Sequence, residues 1–88
     1  MEQLQKFNEM ASFLKDHKTK PQPSNQFKLK MYGLYKQATL GNVSIDQPNP
    51  LDMIASAKFL AWQKLTAMDC QVAMQAYIDE ALAFKAQL

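Results

Sequence analysis

Two tyrosines and a lysine lie within five consecutive residues, at Tyr32, Tyr35 and Lys36. On an α-helix, at about 100° per residue, they share one face with Lys28. The other face of the same segment is apolar and consists of Phe27, Met31, Leu34 and Ala38. Phenol hydroxyls, ring faces and ammonium groups together suit a ligand that carries an aromatic ring and phosphates. A solvated helix surface with no ligand is the alternative interpretation.

Two further polar side chains lie in the middle of apolar helical stripes. Lys58 is centred in a stripe of the third predicted helix, where an unpaired buried ammonium would cost several kcal/mol. Its stem therefore extends to an edge, or its amine faces an anion held between helices. Tyr77 is centred in the stripe of the last helix, and its hydroxyl needs a partner that is either backbone or ligand.

No catalytic or metal-binding arrangement is visible. The eight carboxylates are scattered singly, and the only histidine, His17, has no cluster of further ligands at a suitable spacing. Cys70 has no base beside it, and Gly33 and Gly41 do not form a phosphate loop. The sequence therefore predicts a binding protein that is not an enzyme and that uses neither a metal nor a cofactor.

The composition predicts one small all-α domain that spans residues 1–88. A hydrophobic content of 48% is ordinary for a globular protein, whereas two glycines and few β-branched residues disfavour a sheet. All ten basic residues are lysines, and without arginine we expect a small anionic ligand and no nucleic acid. One cysteine allows no internal disulfide, and no signal peptide or spanning segment is visible, so we expect a cytoplasmic protein without membrane insertion.

Apolar periodicity and capping residues divide the chain into four helices. Their predicted bounds are about Glu2 to His17, Ser24 (N-cap) to Leu40 with Gly41 as the stop, Leu51 to Leu65 after an N-cap at Asn49, and Cys70 to Leu88 after an N-cap at Asp69. Prolines break the chain between the first two helices. The long loop 42–49 predicts a crossover, so that the second and third helices run parallel.

The third helix carries the most detailed prediction. Pro50 is placed at its first position and Asp52 where the acid of a capping box would stand. Its predicted apolar stripe is Leu51, Ile54, Ala55, Ala61, Trp62 and Leu65. In the fourth helix the stripe begins at Cys70, which is therefore predicted to be a core residue.

Three segments of the sequence resemble the acyl-CoA-binding protein family. Tyr32–Gly41 is similar to the family's YxxYKQAT-x-G signature, Ala57–Trp62 to its AKWxAW segment, and Ala73–Ile78 to its AMxAYI segment. The resemblance implies an all-α, four-helix bundle with up-down-down-up topology. It also implies a cytosolic carrier or pool former for medium- to long-chain fatty acyl-CoA esters, with acyl-CoA-using enzymes as partners and no demand for more than a monomer.

The same resemblance implies the ligand-binding residues. These are Lys15, Tyr32, Gly33, Leu34, Tyr35, Lys36, Lys58 and Tyr77. By the family pattern, Tyr32 lies near the adenine and phosphates, Tyr35 packs on the nucleotide, and Lys36 pairs with the 3′-phosphate. Lys58 and Tyr77 close on the head group and pantetheine, and Lys15 is peripheral.

The chain departs from the family pattern at a few positions. Ile54 stands where many members have a lysine, which removes one phosphate contact. Phe59 replaces a tryptophan and Asn42 an aspartate, while a connector two residues longer than in the common animal form leaves open whether Lys18 or Lys20 contacts the ligand. A second hypothesis from the residues alone is a helical protein-interaction module that docks an acidic peptide on its Tyr/Lys face.

Overall fold

The computed structural model describes residues 2–18 and 21–88. The bounds of its helices are Glu2–Asp16 (α1), Asn25–Leu40 (α2), Met53–Gln63 (α3) and Cys70–Ala86 (α4). They run up, down, down and up, and no strand occurs in these two ranges, which confirms the all-α prediction. Met1, Thr19 and Lys20 lie outside the described residues, and with them lies the prediction for Lys20. No helix within the described ranges has the length and apolar character needed to cross a membrane.

The ends of α2 agree with the capping residues predicted for it. The Ser24 Oγ accepts a hydrogen bond from the backbone N–H of Phe27 at 3.1 Å, which satisfies one of the open donors at the helix start. At the other end Gly41 has a φ of 78°, and its N–H donates to the Gln37 carbonyl at 3.1 Å. Glycine tolerates this positive φ without a steric penalty.

The predicted start of α3 is wrong by two residues. The helix begins at Met53 with Asp52 as its N-cap, whose carboxylate accepts from the Ala55 N–H at 3.0 Å. The Asn49 side chain instead accepts from the Leu51 N–H at 2.9 Å, in a separate turn. Asn49 and Asp52 are both good capping residues, and the chain uses the first for a turn and the second for the helix.

The late start of α3 also changes its buried face. Phe59 and Trp62 are its buried residues, whereas Leu51 and Ile54 of the predicted stripe are exposed. Lys58 is likewise exposed, so its stem does not lie in the core. Cys70 is exposed as well, and its prediction as a core residue is wrong.

The helices pack so that two pairs of consecutive helices stay apart. α2 packs against both α3 and α4, and α1 packs against α4. The Cα atoms of α1 and α2 do not come within 8 Å of each other, and neither do those of α3 and α4. Each separation leaves a groove, one between α1 and α2 and the other between α3 and α4. The shared core comprises Phe7, Met10, Met31, Leu34, Ala38, Ala73, Tyr77, Ile78 and Ala81.

A polar cluster fixes the C-terminal end of α2 to the turn after α3. The buried Gln37 donates through Nε2 to the Asn42 Oδ1 at 2.9 Å and to the Met68 carbonyl at 2.8 Å. The same Asn42 oxygen accepts from the N–H of Ala67 at 2.7 Å. These bonds fix α3 beside α2, and they thereby fix the position of Lys58, which reaches from α3 to Tyr32.

Candidate functional site

The groove between α1 and α2 is the candidate site. It is an open cavity of about 640 Å³, with α1 and α2 as its walls and Tyr77 of α4 at its base. Four of the predicted site residues besides Tyr77 line it: Lys15, Tyr32, Tyr35 and Lys36. The structure therefore brings together, around one concave surface, residues from three helices.

An aromatic cluster positions the tyrosines at the base of the groove. The ring of Phe7 stacks on that of Tyr35 with a centroid distance of 5.3 Å and meets that of Tyr77 edge-on at 4.9 Å. The two tyrosine rings are themselves 6.0 Å apart. Phe7 is 1% exposed, so α1 contributes a buried ring that fixes both phenols in place.

The ring of Tyr77 is buried, and its hydroxyl makes no hydrogen bond to any described residue. The side chain is 5% exposed and lines the groove. Burial, followed by the nearby phenol of Tyr35, raises the pKa of Tyr77 to about 12. The phenol therefore keeps its proton at neutral pH and can donate a hydrogen bond into the groove.

Substitution of Tyr77 by phenylalanine tests this description through its pH dependence. Because the pKa of Tyr77 is raised from 10.0 to about 12 on folding, the folded chain retains a proton that the unfolded chain loses in this interval. The free energy of unfolding should therefore fall by up to roughly 2 kcal/mol more for the wild type than for Tyr77→Phe as the pH rises through it. Urea unfolding at a series of pH values measures the difference, because all other groups are common to both proteins. Parallel curves would contradict the burial of this phenol.

Two ammonium groups converge on the ring of Tyr32. The Nζ of Lys36 lies 5.6 Å from the ring centroid, and the Nζ of Lys58, reaching across from α3, lies 5.5 Å from it. Within the described residues the ion pairs are Lys6–Glu9 and Lys30–Glu80, so neither of these two lysines is paired with a carboxylate. Two unpaired cations beside one ring form a locally positive surface at the mouth of the groove.

The remaining predicted site residues occupy other positions. Lys15 is exposed on the α1 wall of the groove. Gly33 instead faces α3, where a Cβ would lie 2.6 Å from the Ala61 carbonyl oxygen. Leu34 is 5% exposed in the core and lines the other groove, between α3 and α4. Neither Gly33 nor Leu34 lines the α1–α2 groove. Gly33 allows the close approach of α2 and α3, and Leu34 packs in the core.

The apolar lining of the groove was not among the predicted site residues. It consists of Ala11, Leu14, Pro23, Phe27 and Met31. Ala11, Leu14 and Phe27 are only half-buried, although periodicity places each of them on a core-facing stripe. Half-burial at the edge of a stripe is a tertiary property, because it depends on the distance between α1 and α2.

The sequence profile of the family described as Acyl CoA binding protein matches residues 4–81. The chain belongs to this family. Among curated relatives, acyl-CoA-binding domain-containing protein 1 of Arabidopsis thaliana is 54% identical over 56 residues, which are 64% of this chain and 17% of that protein. Enoyl-CoA delta isomerase 2 of Homo sapiens is 43% identical over 60 residues, 68% of this chain and 15% of that protein.

Solved structures of the family have the same fold. Acyl-CoA-Binding Protein 2 of Oryza sativa superposes with a TM-score of 0.87 at 30% identity, covering 97% of this chain and 92% of that one. The acyl-CoA-binding protein of Moniliophthora perniciosa gives 0.91 at 27% identity, covering 96% and 81%. The topology inferred from the resemblance is thus confirmed by whole-chain similarity. Family membership supports acyl-CoA binding and does not favour the acidic-peptide alternative.

Proposed function

We propose that this chain binds medium- to long-chain fatty acyl-CoA esters and serves as their carrier or pool former. One observation carries the proposal: two lysines without a carboxylate partner among the described residues converge on the ring of Tyr32, beside a groove whose lining includes apolar side chains from α1 and α2. An acyl-CoA ester has the matching chemistry, since its nucleotide head is aromatic and anionic while its tail is hydrocarbon.

The head group is assigned to the tyrosines and lysines. Lys36 and Lys58 form charge-assisted hydrogen bonds to phosphate oxygens, with Lys15 as a peripheral cation on the opposite wall. The rings of Tyr32 and Tyr35 stack with adenine, which contributes roughly 1–3 kcal/mol by analogy with nucleic-acid binding. The hydroxyl of Tyr77 donates to a carbonyl oxygen of the pantetheine or thioester.

The apolar wall of the groove is assigned to the acyl chain. Leu14 and Phe27 present half-buried hydrocarbon surface from the two sides of the groove, and the buried Met31 lines it between them and the core. Methionine adapts its shape to neighbouring groups, which suits a flexible methylene chain. The tail thereby gains affinity in proportion to the area that it removes from water.

Affinity should rise with the length of the acyl chain until the groove is full. Each additional buried methylene contributes about 0.8 kcal/mol, so two added carbons should tighten binding roughly tenfold. Calorimetric titration with CoA and a series of saturated esters up to palmitoyl-CoA measures this slope. Equal affinity for CoA and palmitoyl-CoA would exclude the proposed function, whereas no binding by CoA itself would exclude only the assignment of the head group.

The remaining aspects of the proposal follow from the same site. The bound ester is held and not converted, so the chain acts as a binding protein with fatty acyl-CoA as its ligand and with no cofactor. It works in the cytoplasm as a monomer and passes the ester to acyl-CoA-using enzymes. The chain spans 17% and 15% of the two curated relatives described above, and the activity in the name of the isomerase is a property of that protein alone.

A further inference from the structure

Two cavities lie on opposite sides of the segment that leads into α2. The α1–α2 groove reaches Gln22, Pro23 and Phe27 at the end where α2 begins. A second cavity, of about 300 Å³, is lined by the same three residues and, from α4, by Ala83 and Phe84. Because Gln22, Pro23 and Phe27 line both cavities, they separate one from the other. We refer to these three residues as the partition.

A hydrogen bond ties the partition to the end of α1. The Nε2 of His17 lies 2.9 Å from the carbonyl oxygen of Pro21, the residue that precedes the partition. A carbonyl oxygen can only accept a hydrogen bond, so the imidazole is the donor. The imidazole also lines the α1–α2 groove itself. His17 therefore restrains the partition from the side on which a ligand would lie.

Phe84 of α4 supports both His17 and the partition. The ring of His17 meets that of Phe84 edge-on, with a centroid distance of 5.4 Å and an angle of 89° between the planes. The ring of Phe27 packs on the same phenyl group at 5.3 Å. Phe84 is buried, so one fixed ring positions the imidazole and the apolar side of the partition together.

The backbone of the partition is stiff. Pro21 and Pro23 each have a fixed φ, and the residue between them is confined to extended conformations because it precedes a proline. A displacement at Pro21 is therefore passed on to Pro23 instead of being absorbed between them. Loss of the hydrogen bond from His17 should consequently move the wall of the groove and not only the carbonyl group that accepts it.

We propose that the partition sets the longest acyl chain that the groove holds, and that His17 is the positioning residue that keeps the partition closed. The inference rests on the proposed function, in which Leu14 and Phe27 contact the acyl chain. The terminal methyl group of a long chain then meets the partition. Beyond it, Ala83 and Phe84 offer further hydrocarbon surface, which a longer chain reaches when the partition is displaced.

The proposal predicts a limit in chain length that depends on the hydrogen bond of His17. In the wild type, affinity should rise with chain length and then stop rising, because carbons added beyond the partition remain in water. Without the hydrogen bond, the limit should move to esters that are longer by two or more carbons. The longest esters should then gain roughly tenfold in affinity relative to octanoyl-CoA.

Two substitutions separate the hydrogen bond of His17 from its ring. His17→Phe keeps a ring against Phe84 and removes the donor, whereas His17→Gln keeps an N–H donor and removes the ring. Displacement of octanoyl-CoA by saturated esters up to docosanoyl-CoA, followed by calorimetry, gives the limit for each protein. It should move for His17→Phe and stay in place for His17→Gln. An unmoved limit for His17→Phe, or a moved one for His17→Gln, would overturn the proposal.

Filling the second cavity tests where the additional carbons lie. Ala83 is an exposed residue of α4, so Ala83→Leu adds hydrocarbon to this cavity without changing the core. The single variant should have the wild-type limit, and combining it with His17→Phe should restore that limit. A double variant that still favours the longer esters would contradict the proposed path. A purely structural role of His17 would weaken binding of all esters alike and leave the limit unchanged.

A further variant keeps the inference testable if His17→Phe does not fold. Pro23→Gly loosens the partition and leaves the ring of His17 against Phe84, so it should move the limit in the same direction. Failure of the wild type to bind any ester would end the proposed function. A wild type whose affinity depends on chain length, with a limit that neither His17→Phe nor Pro23→Gly moves, would end this inference alone.

Discussion

The double substitution of Lys36→Gln and Lys58→Gln is expected to weaken acyl-CoA binding by roughly a hundredfold or more. Both amines lie within 5.6 Å of the Tyr32 ring centroid and have no carboxylate partner among the described residues. A hydrogen bond to a charged group contributes about 1.5–3 kcal/mol, and the double variant loses two of them. Calorimetric titration with palmitoyl-CoA gives the change directly.

The single variants and a surface control separate phosphate contacts from general charge. Lys6 is an exposed residue of α1 in an i, i+3 pair with Glu9, so Lys6→Gln removes one positive charge, as either single variant does, and should leave affinity almost unchanged. Lys36 and Lys58 approach one ring, so we expect their single effects to be non-additive in a double-mutant cycle. An affinity within threefold of the wild type for the double variant would show that the phosphates bind elsewhere.

The second helix could be predicted in detail because its determinants are local. Ser24 and Gly41 are capping residues of opposite type, and the apolar period between them fixes which face is buried. That face places Tyr32 and Lys36 together on the other side, as the structure has them. The approach of Lys58 to these two residues depends on how α3 packs against α2. The position of Lys58 within an apolar pattern predicts only that its stem extends to an edge or that its amine faces an anion.

The third helix shows where local reasoning fails. Asn49 and Asp52 are equivalent as capping residues, and Pro50 is compatible with a helix start and with a turn. A helix that starts at Leu51 would place Leu51 and Ile54 in the core, whereas in the structure they are among the most exposed apolar side chains. The choice between the two starts depends on how α3 packs against α2, which the local sequence does not contain.

The contribution of Phe7 to the base of the groove could not be predicted from the sequence. Phe7 belongs to an ordinary apolar stripe, and nothing near it in the chain indicates that its ring contacts Tyr35 and Tyr77. The groove exists because α1 packs on α4 and not on α2, which is a property of topology. Family resemblance supplied this topology, and helical periodicity could not.

Gly33→Ala is expected to lower the free energy of unfolding, although glycine to alanine within a helix ordinarily raises it. A Cβ at this position would lie 2.6 Å from the carbonyl oxygen and 2.9 Å from the carbonyl carbon of Ala61. These are backbone atoms of α3, so relief requires the two helices to separate. Overpacking of this kind costs typically 1–3 kcal/mol, which exceeds the gain of about 1 kcal/mol in helix propensity.

The same displacement should also weaken the ligand site. Moving α3 away from α2 carries Lys58 away from Tyr32, so palmitoyl-CoA affinity should fall together with the melting temperature, which drops about 4–8 °C per kcal/mol in a domain of this size. Ser12→Ala, on the exposed side of α1, provides the matched control and should leave both quantities unchanged or slightly raise the melting temperature. Scanning calorimetry and titration of the three proteins measure the effects. A more stable Gly33→Ala protein with unchanged affinity would mean that α3 does not lie against Gly33, and the proposed convergence of lysines from two helices would lose its structural basis.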